Sequence, residues 1–186
     1  MTVAPRALVP MAQDTEDMEL VVLTDVLSRG GIQVLRAAAT MDPVRLQHGT
    51  RILPDLTLAE ARDQRFDVVA LPGGWEGAQR LDADPDLAAI LATCRVENRL
   101  VAAVCSAPTV LRRHGLIAGN EPFTTHPGSV SFAEGGHAHL YEATVSTPTV
   151  ITGRSAGHTL DWALALVERL RGAEVRQQVR ESLAML

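Results

Sequence analysis

The sequence predicts an α/β fold: a doubly wound, mostly parallel sheet with helices on both faces. Short apolar runs of strand length alternate with stretches of helical spacing. The joints between them are short, as in βαβ units. The runs are apolar throughout rather than at every second residue, which suits parallel strands covered on two sides.

The first strand is expected at 6–12, Arg6-Ala7-Leu8-Val9-Pro10-Met11-Ala12, with Pro10 the residue least suited to it. Helical spacing follows from about 15 to 29, where Met18, Val22 and Val26 recur every four residues beside Leu23 and Leu27. Gly30-Gly31 ends that helix, and a second strand runs over 32–38. A small hairpin is read over 44–52, with His48-Gly49 at its turn. Phe66-Asp67-Val68-Val69-Ala70-Leu71 reads as a central strand entering Pro72-Gly73-Gly74-Trp75. A helix at about 85–97 leads to Leu100-Val101-Ala102-Ala103-Val104, the most apolar strand of the chain, and Cys105 stands at its end. A helix from 107 to about 114, a short strand before His126, strands near 142–145 and 149–152, and helices at about 155–170 and 173–184 complete the reading.

At 186 residues the chain reads as a single domain over 1–186, with no linker, repeat or low-complexity run. The net charge of −5 excludes the clustered base that a stable nucleic-acid complex needs. All 17 basic residues are arginine, which removes Schiff-base lysines and phosphate-binding P-loops. No leader and no membrane-length apolar stretch is read, so a cytoplasmic protein is expected. Two cysteines, Cys94 and Cys105, give no disulfide framework.

The chemistry concentrates around Cys105. A strand, a cysteine and a helix with no loop between them form a nucleophile elbow, which exposes the side chain and turns N–H groups of the helix start towards it. A helix end favours the thiolate, so the thiol's pKa is expected to be lowered. A packed, inert thiol is the alternative. Glu19 shares a helix face with Val22, Leu23 and Val26. A carboxyl there is costly unless partnered or protonated, so burial is expected to raise its pKa and make it a general acid or base. Gly73 and Gly74, with Ser106, offer N–H groups for an oxyanion hole. His126 is the histidine best placed to reach the crevice at the strand ends. His137 and His139 have no third ligand at convincing spacing, so no metal site is read, and Cys94 reads as a packed thiol.

Taken together, these residues resemble the ThiJ/PfpI family, most closely its DJ-one/YajL-like branch. The resemblance runs nearly end to end through Glu16-Asp17-Met18-Glu19, Asp42-Pro43-Val44, Asp67 to Gly74, Ala102 to Pro108 and Thr124-Thr125-His126-Pro127. It implies a flavodoxin-like sheet of the class I glutamine amidotransferase kind, with Cys105 as nucleophile, Glu19 as its carboxyl partner, His126 in the pocket, and Gly74 and Ser106 as oxyanion donors. It further implies a cofactor-free glyoxalase or deglycase acting on methylglyoxal, glyoxal or their early protein and nucleotide adducts. A homodimer with the first helix and the hairpin near its interface is implied too. The chain departs from the branch at Arg154-Ser155-Ala156-Gly157, where a Gly-Pro-Gly turn is usual, a change at the pocket rim and so in substrate choice. Other readings use the same cysteine: a redox-responsive chaperone or oxidative-stress sensor, an isonitrile hydratase, or a peptidase. The peptidase branch carries histidine where Ser106 stands, and the hydratase branch aspartate where Glu19 stands.

Overall fold

The computed structural model describes residues 3–129 and 139–185. Nine strands occur among the described residues: β1 (Arg6–Pro10), β2 (Gln33–Ala38), β3 (Val44–Arg45), β4 (Arg51–Ile52), β5 (Leu56–Thr57), β6 (Val68–Leu71), β7 (Leu100–Val104), β8 (Thr144–Ser146) and β9 (Val150–Gly153). Seven of them form one sheet in the order β5-β2-β1-β6-β7-β9-β8. Every pairing in that sheet is parallel except the edge hairpin of β8 with β9. The chain builds outward from β1 to β2 and β5, then crosses to β6 on the other side. The resulting switch point lies between β1 and β6, where a flavodoxin-like sheet opens a crevice at the strands' carboxyl ends.

Alternate residues of each strand serve opposite faces. In β7, Val101 and Ala103 join one core with Leu8, Val69, Leu71 and Leu87, whereas Ala102 and Val104 join the other with Val9, Ala70, Leu23 and Trp162. The first face is covered by α2 (Leu58–Ala61), α3 (Trp75–Asp82), α4 (Pro85–Val96) and α5 (Pro108–Arg113). The second is covered by α1 (Asp17–Arg29), α6 (Thr159–Arg171) and α7 (Ala173–Ser182). The buried Trp162 donates its indole N–H to the Ile151 carbonyl at 3.1 Å, which fixes α6 on β9.

Four details differ from the sequence expectation. The β5–α2 unit and helix α3 are additional. No strand immediately precedes His126; Phe123 makes only an isolated bridge to His139, and the peptide leading to His126 is held instead by the Thr124 N–H donating to the Thr152 hydroxyl and the Thr125 hydroxyl donating to the Cys105 carbonyl. The helix expected from 155 opens as a 3-10 turn over Ala156–His158 before α6 begins. His139 packs between Phe123 and Tyr141, tilted to the first ring and edge-on to the second, with centroids 5.4 and 5.1 Å away, while His137, read with it as part of a loop, lies outside the described residues. Among the described residues no helix is long and apolar enough to cross a membrane.

Candidate active site

Strand β7 delivers Cys105 directly into a tight turn, and its φ of 61° is left-handed, a conformation that costs a non-glycine residue about 1–2 kcal/mol. Surrounding hydrogen bonds hold it there. The Cys105 N–H donates to the Gly153 carbonyl at 3.0 Å, and the Cys105 carbonyl accepts the His126 N–H at 2.8 Å and the Thr125 hydroxyl. The main-chain N–H groups of Ser106 and Gly74 lie by the sulfur in the same cleft and act to lower its pKa. Gly74 has φ +85°, and a Cβ there would lie 2.5 Å from the Asp14 carbonyl oxygen, so only glycine lets this amide approach.

Glu19 reaches the same point from α1. It is fully buried, and its Oε2 accepts the Gly73 N–H at 2.6 Å. Its Oε1 is buried with no hydrogen-bond partner among the described residues, and the Cys105 side chain lies beside the carboxyl. Burial pushes the Glu19 carboxyl up to about 7, against the lowering effect of the Gly73 N–H and Cys105 hydrogen bonds. Burial also pushes the Cys105 thiol up to about 12, and the Glu19 charge and hydrogen bond add to the effect.

Two expectations are corrected here. The thiol is not lowered, because burial and an adjacent carboxylate outweigh the Ser106 and Gly74 N–H groups, and α5 is only 6 residues long. Gly73 does not contribute an oxyanion donor, because its N–H is already engaged by Glu19. The two groups instead form a coupled pair that holds a single proton from about neutrality upward, once the Glu19 carboxyl has ionised and while the thiol has not.

A cleft of about 470 Å³ opens over this pair. The structure brings Glu19, Gly74, Cys105, Ser106 and His126 together on its walls, with Gly73 just behind. His126 is exposed, and its Nδ1 accepts the Gly128 N–H at 3.1 Å, leaving Nε2 as the nitrogen without a bond among the described residues. Sequence reasoning missed Gln47, His48, Trp75 and Ser129 on the wall, whereas Ser155 belongs to the rim segment it had singled out. The first two come from the β3–β4 hairpin, whose turn is latched to α1. Asp17 accepts the His48 N–H at 2.7 Å and the Thr50 N–H at 3.1 Å through its two carboxylate oxygens. A carboxylate one position into a helix, facing a predicted turn, was the available signal for that latch.

The profile of the DJ-1/PfpI family matches residues 5–169. The chain belongs to the DJ-1/PfpI family. It is 41% identical to the Parkinson disease protein 7 homolog of Danio rerio, over 97% of either chain. It is 36% identical to the glutathione-independent glyoxalase DJR-1.2 of Caenorhabditis elegans, over 93% of this chain and 92% of that one. Among solved structures, Drosophila melanogaster DJ-1beta superposes with a TM-score of 0.92 at 32% identity, covering 99% of this chain and 100% of its own. These DJ-1/PfpI relatives match the chain along its length, so the correspondence takes in the elbow, α1 and the switch-point crevice alike.

Proposed function

We propose that this protein is a cofactor-independent glyoxalase that converts small α-oxoaldehydes such as methylglyoxal and glyoxal to 2-hydroxy acids, and that it works as a homodimer. The observation that carries the reading is the buried Glu19–Cys105 pair with the Gly74 and Ser106 N–H groups beside its sulfur. The C. elegans relative named as a glutathione-independent glyoxalase supports the same chemistry.

The reaction follows from one shared proton. As the Cys105 sulfur attacks the aldehyde carbon, its proton passes to the Glu19 carboxylate, so the nucleophile forms only when a substrate is present. The new alkoxide lies where the Gly74 and Ser106 N–H groups point, and the Glu19 proton then neutralises it to a hemithioacetal. Glu19, again a carboxylate, removes the hydrogen from that carbon. The released electron pair forms the carbon–carbon double bond of an enediolate and pushes the ketone π electrons onto the second oxygen. The hydroxyl proton on the first carbon passes to that oxygen, and Glu19 returns its proton to the second carbon, leaving a thioester of the 2-hydroxy acid. Water cleaves the thioester and restores the thiol. No electron leaves the substrate, so the chemistry needs no external oxidant or reductant. The same attack on an early aldehyde adduct would release the amine or guanidine, the deglycase form of the activity.

A sensor role would depend on a standing thiolate, which burial and Glu19 both oppose. The dimer is supported by an apolar groove of about 410 Å³ on α1, where Met18 and Val21 are nearly half exposed beside Val22, Leu160 and Leu183. Incubation with methylglyoxal in the absence of glutathione tests the activity. Lactate is expected from the native protein and a loss of at least about 1,000-fold in Cys105→Ala and Glu19→Gln, a scale set by removal of a nucleophile or its base. Lactate formation by Cys105→Ala at the native rate would rule the mechanism out.

A further inference from the structure

We propose that Ser155 is a catalytic hydrogen-bond donor in this cleft, oriented by His158 and Arg154, and that it stabilises the second oxygen of an α-oxoaldehyde. The inference rests on the glyoxalase reading and goes beyond it by assigning the residues that favour a substrate with two adjacent carbonyl oxygens.

An Arg154 terminal nitrogen lies 2.7 Å from His158 Nε2, and the Ser155 hydroxyl oxygen lies 2.7 Å from His158 Nδ1. A guanidinium only donates, so Nε2 must accept, which leaves Nδ1 as the ring nitrogen that carries a hydrogen. Nδ1 therefore donates to the Ser155 oxygen, so the Ser155 hydroxyl has its own proton left to donate elsewhere. Ser155 lines the cleft with Cys105, two residues beyond the Gly153 carbonyl that holds the Cys105 amide. Arg154 is itself anchored, its other terminal nitrogen donating to the Tyr141 carbonyl and its main-chain N–H to Ala143 at 3.0 Å. The 3-10 turn closes the arrangement, because the His158 N–H donates to the Ser155 carbonyl at 2.8 Å and brings the two side chains together.

The proposed chemistry leaves one charge without a donor. The Gly74 and Ser106 N–H groups serve the oxygen on the attacked carbon, whereas the enediolate develops its charge on the neighbouring oxygen. Ser155 supplies the hydrogen bond there. No bond to Ser155 is made or broken. His158 and Arg154 are positioning residues that act through it.

The test separates carbon–sulfur bond formation from proton transfer. Native protein, Ser155→Ala, Ser155→Thr and His158→Leu are mixed with methylglyoxal. Pre-steady-state loss of reactive Cys105 thiol reports the adduct, steady-state lactate gives kcat and KM, and thermal melts check folding. Ser155→Ala is expected to form the adduct within about 3-fold of the native rate while kcat falls about 10- to 100-fold, the scale of a lost oxyanion donor. Ser155→Thr should recover most of kcat, and His158→Leu should lower kcat with little change in KM. An unchanged kcat in Ser155→Ala, an equal fall in adduct formation and kcat, or no recovery in Ser155→Thr would overturn the assignment while leaving the glyoxalase reading intact. Absence of lactate from the native protein would defeat both.

Discussion

Glu19 is the residue on which the site's electrostatics turn. A buried carboxyl raised to about 7 favours the folded state most when it is protonated. Its contribution is full below the unfolded value near 4.5 and is lost as pH rises through about 7. The native protein is therefore expected to lose on the order of 3 kcal/mol of stability between pH 4.5 and pH 8 at this position, and Glu19→Gln to show no such loss. Urea titrations of the two proteins at pH 5 and pH 8 measure the difference, and parallel pH dependence would contradict it. Cys105 contributes nothing to this window, because its thiol remains neutral up to about 12. The sequence made Glu19 legible through its place on an apolar helical stripe, and Cys105 through the strand end it occupies. The sign of the thiol's shift was not legible. It depends on how deeply the sulfur is buried and how near the carboxyl lies, and neither follows from spacing along the chain.

Among the elements, those with long periodic patterns were readable, and the short ones were not. Helix α4 announces itself through Asp84-Pro85 and an apolar face of Leu87, Ile90, Leu91 and Cys94. Asp84 caps it by accepting the Asp86 and Leu87 N–H groups at 2.9 and 3.0 Å. Asp84→Ala is expected to lower stability by about 1 kcal/mol in a urea titration. Lactate formation should be unaffected, since Asp84 is not on the wall of the cleft. Helix α3 was hidden because Gly77 interrupts it, yet a Cβ at Gly77 would lie 2.7 Å from the Thr15 backbone. Close packing of α3 against the entry to α1 thus requires the residue that weakens its helical signal. The β5–α2 unit spans only Leu56–Ala61, but Thr57 and Glu60 form a reciprocal capping box that was readable as Thr-x-x-Glu. Ser155 was legible only as part of a rim segment that departs from the family pattern, not in its role. Its role depends on a 3-10 turn that brings His158 back to it, and nothing in Arg154-Ser155-Ala156-Gly157 specifies that turn.

The whole molecule gathers its site from segments that follow the carboxyl ends of central strands of the sheet. Alternation of apolar runs was enough to predict the winding, but not which helical face would remain uncovered. On α1 that face carries Met18 and Val21, 47% and 48% exposed, in the groove completed by Leu160 and Leu183. A charge placed there is incompatible with burial against a second copy. Val21→Glu is therefore expected to sediment as a monomer where the native chain sediments as a dimer. A native monomer, or a variant that remains dimeric, would remove α1 from the interface.

The latch between Asp17 and the β3–β4 turn has a consequence for anyone reshaping this protein. Asp17 and Glu19 stand two residues apart in the first turn of one helix, so the doorway and the proton carrier share a rigid frame. Widening the entrance to admit a bulkier guest by rebuilding the hairpin would also tilt the acid against its sulfur. Selectivity and turnover would then drift together, and a redesign that leaves the hairpin alone and works from the opposite wall would keep them apart.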